Sequence, residues 1–209
     1  MALVVGNGAA ARVLGCSEQW AAPLPGRRFR FAGTLSPATL SPVAAASLAT
    51  AAEALVQHHA LVGLVSVDAL VAGDAVTVLE VNPRPGASLD AYGQALAIDL
   101  FGLHRAACAG RLPLAPSAEA GAAGSLIVYA RRAVTVAADF TWPAWSADRS
   151  PPGTRITAGG PIATVLAKGH NPLAVRALLS ARACDLLARC KGTSVPPVRP
   201  AAARRSSVG

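Results

Sequence analysis

At 209 residues the chain is long enough to bury one sizeable core, and with 53% hydrophobic and only 14% charged residues a membrane span is the first possibility to test. The most apolar stretch, residues 60–81, is interrupted by Asp68, Asp74 and Glu80, whereas a spanning helix needs about 20 apolar residues in succession. The net charge of +8 does not point to nucleic acid either, because Arg189, Lys191, Arg199, Arg204 and Arg205 all follow the last acid, Asp185, in a stretch with no aromatic residue for base stacking.

Residues 2–5 are expected to form a short strand that Gly6-Asn7-Gly8 ends in a turn, with Val13 and Leu14 on the return strand. No basic segment precedes this apolar start, so it does not read as a secretory signal. Residues 16–42 are rich in Pro, Gly and Arg and read as loop, with one extended piece around 29–31. A helix is expected from Ser41 or Pro42 to His59, with Leu48, Ala52 and Leu55 on one face and Pro42 at its tolerated N-terminal position. His58 and His59 are adjacent and point in different directions, so they cannot hold a metal as an i, i+4 pair can. Two alternating apolar runs around Ala72-Gly73-Asp74 predict a hairpin over 63–82. A second helix is expected over 89–109, with Asp99 structural and Gly110 as its stop, followed by a Pro- and Ala-rich connector over 112–124. Strand character returns at 125–129 and 134–137, and residues 142–153 are turn-rich. Short strands are expected at 154–156 and 162–167. A closing helix over 171–190 follows, capped by Asn171 with Pro172 at N1, and with Leu173, Val175, Leu178 and Leu186 toward the core. Residues 191–209 are expected to be a disordered basic tail. The order of elements is an α+β pattern with antiparallel pairing.

Cys16, Cys108, Cys184 and Cys190 show no CxxC spacing, so neither a zinc site nor a disulfide framework is indicated and a reducing cytoplasm fits.

The hairpin carries the chemistry. Leu64, Ser66, Asp68 and Leu70 share a parity on its first strand, as do Val76, Val78, Glu80 and Asn82 on its second. A turn centred on Gly73 sets Asp68 opposite Val78 and diagonal to Glu80, on one side of the sheet and within reach of a shared ion. Two acids and an amide converging on an apolar sheet destabilise it unless a cation compensates. Magnesium suits the site: it prefers oxygen, rests on one or two carboxylates and takes its other ligands from water and phosphates. Arg84, two residues on, can neutralise charge developing on a phosphoryl oxygen. On the pattern alone, a solvent-facing strand whose acids happen to align is an equally good reading.

The run from Gly63 to Asp68, followed by Leu79-Glu80-Val81-Asn82-Pro83-Arg84-Pro85-Gly86, resembles the paired metal-ligand strands of the ATP-grasp superfamily, which includes biotin carboxylase and many carboxylate-amine ligases. Ser17-Glu18-Gln19-Trp20 is similar to the segment after that superfamily's glycine-rich loop, and residues 153–169 resemble the small β region that closes biotin-carboxylase-like members. The overall flavour is similar to the group that includes tyramine-glutamate ligases. The resemblance implies that Asp68, Glu80 and Asn82 hold magnesium on ATP, that Arg84 faces an acyl phosphate, and that the enzyme is a carboxylate-amine ligase. It further implies the C-terminal lobe of an ATP-grasp fold over 1–110, with a closing β region and helix over 111–190.

The superfamily's N-terminal lobe, with its phosphate-binding lysines, has no counterpart here. Lys168 and Lys191 are the two lysines of the sequence, and both lie far beyond the expected region. Expected partners are therefore the small carboxylate and amine substrates together with a separate N-terminal lobe polypeptide or a second copy of the chain; membrane and nucleic acid are not expected. The competing expectation is a non-catalytic scaffold or dimerisation module derived from such a lobe.

Overall fold

The computed structural model describes residues 1–86, 88–112 and 121–191. The connector residues 113–120 and the tail from 192 onward lie outside them. The expected α+β architecture is present. Strands β1 (Ala2–Asn7) and β2 (Ala11–Cys16) pair antiparallel around the anticipated turn. Where loop was expected over 16–42 there are two strands, β3 (Glu18–Ala21) and β4 (Phe31–Ser36). The Pro- and Arg-rich composition belongs to the segment between them, and Phe29, placed in the extended piece, lies outside the strands and is 93% exposed.

Helix α1 (Pro42–His58) begins where its N-terminal chemistry says it should. The Ser41 hydroxyl accepts from the Ala44 N–H at 3.1 Å, and Pro42 occupies the first turn, where a missing N–H costs nothing. Ala44, Leu48, Ala52 and Val56 recur every four residues and are buried, while Leu55 is partly buried. Burying a side chain such as Leu48 stabilises the fold by roughly 1.5–3 kcal/mol.

The hairpin comprises β5 (Val62–Ala72) and β6 (Ala75–Asn82). In place of the single helix expected over 89–109 there are two, α2 (Leu89–Leu96) and α3 (Leu100–Cys108). The chain breaks at Ala97, which takes a left-handed conformation, and Asp99 caps the second helix by accepting from the Gly102 N–H at 2.9 Å. Asp99 is thus structural, and its capping carboxylate competes with continuous helix. The chain continues through β7 (Ala122–Tyr129), β8 (Val134–Thr135), β9 (Ser146–Ala147), β10 (Arg155–Ile156) and β11 (Pro161–Gly169). It reaches α4 (Pro172–Lys191) with Asn171 as cap, its Oδ1 accepting from the Ala174 N–H at 2.8 Å. Val175, Leu179 and Leu186 form the buried face of α4, whereas Leu173, 79% exposed, and Leu178, 36% exposed, do not join the core.

A four-stranded sheet runs β2-β1-β5-β6 and a five-stranded sheet runs β3-β4-β7-β11-β9. The first packs α1 on one face, around Val4, Leu48, Val65 and Val67, and α2 and α3 on the other, around Leu3, Leu64, Tyr92 and Leu100. The second carries α4 against Val165, Ala167 and Val128. It takes β3 and β4 from before residue 110 and β7, β9 and β11 from after it. Helix α2 also touches β7 and β4, so it lies between the two sheets. Among the described residues no helix is long and apolar enough to cross a membrane.

Candidate functional site

The first half of β5 is locked in place from both sides. Gly63 has φ +87°, and a Cβ there would lie 2.5 Å from the His104 ring. His104 closes onto the strand because its Nδ1 accepts the Leu64 N–H at 3.0 Å. This contact fixes α3 against β5 and was not anticipated from the sequence, where a lone histidine on a helix carries no signal. The β1–β5 register ends at Ala2 opposite Val67, so Asp68 is the first residue of β5 beyond β1, half-buried at the edge of the cleft.

Across the hairpin the expected register is corrected. The turn is Gly73-Asp74, with Ala72 opposite Ala75 and Ala69 opposite Val78. Continued unbroken, that ladder would set Asp68 against Leu79 and turn Glu80 to the α1 face. A β-bulge intervenes between Asp68 and Ala69, and beyond it Asp68 faces Glu80 directly, Val67 faces Val81 and Ser66 faces Asn82. Val76 and Val78 therefore pack toward α1, with Val81 beyond the bulge, and do not share a face with Glu80 and Asn82 as their parity had suggested. Ser66, Asp68, Glu80 and Asn82 converge on one cleft of about 570 Å3, which Arg84 also lines. Ser66 was not singled out as a site residue, although it sits in the same alternation. Trp20 on β3 and Phe31 at the start of β4 line the same cleft. Asp68 also borders a second cleft of about 720 Å3 that reaches Ser41 and Asp74, where the Ser41 hydroxyl donates to the Asp74 carboxylate and ties the hairpin turn to α1.

Burial pushes the Asp68 carboxyl above its ordinary range, the Met1 amino group opposes this, and the negative charge of Glu80 adds to the rise. Asp68 Oδ1 is buried with no hydrogen-bond partner among the described residues, an arrangement that costs stability unless something else satisfies it. Asn82 Nδ2 donates to Glu80 Oε1 at 2.9 Å, which holds the carboxylate in place and leaves the amide oxygen of Asn82 without a hydrogen-bond partner among the described residues. Arg84 is exposed, and its guanidinium touches only the Pro85 carbonyl, at 3.4 Å, among the described residues. No three His, Cys, Asp or Glu side chains among the described residues converge as a metal cluster. A divalent cation here would rest on two carboxylates and one amide, with its other positions left to water and phosphate. The orphaned Asp68 oxygen and the all-oxygen donor set fit magnesium and fit zinc or copper poorly.

Residues 2–88 match the model of the ATP-grasp domain. No curated protein matches the chain. Among solved structures, the chain is similar to the urea carboxylase of Kluyveromyces lactis, with 18% identity and a TM-score of 0.71, over 86% of this chain and 17% of that one. It is also similar to the biotin carboxylase domain of a single-chain bacterial carboxylase, with 20% identity and a TM-score of 0.69, over 87% of this chain and 46% of that one. A single-chain, multi-domain long-chain acyl-CoA carboxylase gives 21% identity and a TM-score of 0.70, over 88% and 22%. The chain thus spans less than half the length of each of these three. Its match to the ATP-grasp domain model is thus confined to residues 2–88, and over most of its length it shares the fold of these carboxylase structures.

Proposed function

We propose that this chain is the nucleotide- and metal-binding part of an ATP-dependent carboxylate-amine ligase. The observation that carries the reading is the convergence of Asp68, Glu80 and Asn82 on one cleft, with a buried Asp68 Oδ1 that has no hydrogen-bond partner among the described residues. In the overall reaction a substrate carboxylate takes the γ-phosphoryl group of ATP, releasing ADP and forming an acyl phosphate. An amine then displaces phosphate and sheds a proton to give the amide.

Asp68, Glu80 and Asn82 would hold magnesium, which when bound neutralises phosphate charge. Glu80 is oriented for this by its bond from Asn82. Arg84 supplies a fixed cation to the acyl-phosphate oxygens, and its freedom from any carboxylate partner among the described residues leaves the guanidinium available. Trp20 and Phe31, which also line the cleft, would shield one part of it from water. No protein nucleophile is required; positioning and charge do the catalysis. Residues 1–110 would act as the C-terminal ATP-grasp lobe and 111–190 as the closing region, in the cytoplasm. Phosphate-covering lysines would come from another part of the assembly, because Lys168 is exposed on β11, far from the hairpin in sequence and outside the residues that line the cleft.

Calorimetry with Mg-ATP on the chain tests this reading: saturable, magnesium-dependent binding that Glu80→Gln abolishes supports it, and unaltered binding by that variant refutes it. A second reading, a non-catalytic assembly module, draws support from Leu70, Leu79 and Val43, which are 63%, 57% and 56% exposed around the outer end of the hairpin and α1. A stable dimer that ignores Mg-ATP would favour it.

A further inference from the structure

Strand β5 is longer than the strand beside it. Its partner β1 covers it from Val62 to Val67, while β6 covers the other edge from Ser66 to Ala72. From Asp68 to Ala72 one edge of β5 therefore has no partner strand among the described residues, a run of about 17 Å. That edge borders the cleft of about 720 Å3, with Ser17, Glu18, Thr39 and Leu40 on its other side and Met1 at its end. The main chains of Met1 and Ser17 exchange both hydrogen bonds, at 3.0 and 2.9 Å, and the next residue, Ala2, faces Val67. Met1 thus stands in line between Ser17 and Asp68. Two strand spacings, about 10 Å, separate the walls of the cleft, which is the room one extended chain needs.

The walls dictate what such a chain carries. Among the described residues no Lys, Arg or His lines the cleft, whereas Glu18, Asp68 and Asp74 do. Glu18 is paired with Arg176 at 2.7 Å, but Asp68 and Asp74 have no ion-pair partner among the described residues. Ser17 is 2% exposed, and its hydroxyl, like Asp68 Oδ1, is buried with no hydrogen-bond partner among the described residues. Oxygens buried in this way on both sides of one slot call for donors from its occupant. Ala69 packs with Leu48 on the α1 side, while Asp68 and Leu70 alternate to the opposite face. The open run Asp68-Ala69-Leu70-Val71-Ala72 contains neither proline nor lysine, the residues that guard an edge against pairing.

We infer that this slot receives an extended segment of a partner polypeptide, which adds to β5 in line with β1 and alternates basic with apolar side chains. Its main chain pairs with the open edge, its cations meet Asp68 and Asp74, its apolar side chains lie toward Leu48, and its donors reach the Ser17 hydroxyl. An anion is excluded by the charge of the walls, and a bare cation leaves the strand edge unpaired. The binding goes beyond the ligase reading and does not rest on it.

The test is calorimetric titration of the full chain, without nucleotide and at low salt, with the peptide acetyl-Lys-Val-Lys-Val-Lys-amide. Saturable binding is expected, with slowed hydrogen exchange confined to amides between Ala69 and Ala72. Acetyl-Glu-Val-Glu-Val-Glu-amide, with the charge reversed, and acetyl-Lys-Pro-Lys-Pro-Lys-amide, with the charge kept but two N–H donors removed, are expected not to bind. Val71→Lys puts a cation on the edge and should weaken the first peptide at least about tenfold. Should that variant fail to fold by circular dichroism, Thr39→Lys, exposed on the facing wall, places the same charge in the slot. Ser17→Ala is expected to weaken binding roughly three- to tenfold, and Asp74→Asn, whose amide oxygen can still accept from Ser41, about twofold. No binding of the basic peptide, equal binding of the glutamate or proline peptide, or indifference to the lysine variant would each overturn the assignment. So would a dimer of the chain alone that the lysine variant dissolves, since a second copy would then hold the edge. A chain that takes the peptide and ignores Mg-ATP keeps the slot and sinks the ligase reading; one that binds Mg-ATP and ignores the peptide does the reverse.

Discussion

Asp68 and Glu80 face each other directly across the β5–β6 hairpin, and they do so because one extra residue is accommodated in β6 next to them. The ladder from the turn pairs Ala69 with Val78, and the next pair is Asp68 with Glu80, so Leu79 is the residue taken up by the bulge. Deleting Leu79 should therefore straighten the strand without turning Glu80 or Asn82 to the other face. Mg-ATP affinity in that variant is expected to stay within about threefold of the parent. Deleting Val81 instead moves Asn82 to the α1 face and should abolish binding. Calorimetry on the two deletions separates them.

The Asp68 carboxylate is held against its own preference, by burial first and by Glu80 in addition. Asp68→Asn removes that conflict. Without magnesium the variant is expected to melt about 2 °C higher, while its Mg-ATP affinity falls at least tenfold, as for other sites that exchange stability for function. Thermal denaturation with and without Mg-ATP reads both effects.

Asp68 and Asp90 both have raised carboxyl pKa values in the folded chain, chiefly through burial. The folded state therefore binds more protons than the unfolded one between the ordinary aspartate range and the raised values. The contribution of these two groups is fully present below the ordinary range and is lost as pH rises through the raised values. Asp90→Asn should reduce that downward slope, a difference visible in melting temperatures measured from pH 3.5 to pH 7 with the parent as reference.

At Gly63 a side chain meets two obstacles, a φ of +87° and the His104 ring 2.5 Å from the added Cβ. Gly63→Ala is expected to cost about 2–4 kcal/mol in urea denaturation. His104→Ala by itself leaves the Leu64 N–H without its acceptor and should cost about 1–3 kcal/mol. Combining the two should cost less than their sum, because the second change opens the space that the first needs.

The hairpin, α1 with its Ser41 cap and α4 with its Asn171 cap were legible from local chemistry: alternation, helical periodicity, and polar residues placed to satisfy the first N–H groups of a helix. Strands β3 and β4 were not, because the Pro, Gly and Arg between them dominate the composition and their own residues become strand only by pairing with each other and, through β4, with β7, about ninety residues on. The break at Ala97 was hidden because residues on both sides of it suit a helix, and the cap at Asp99 decides the matter.

By itself the sequence determined that two carboxylates, an amide and an arginine stand within a few residues on either side of a tight turn, since residue type and spacing are properties of the chain alone. Which way those groups point was decided only in three dimensions. The two-residue turn and the bulge each shift the side-chain alternation by one position, and their combined effect on the face occupied by Glu80 follows from hydrogen-bond pairing that no local pattern encodes.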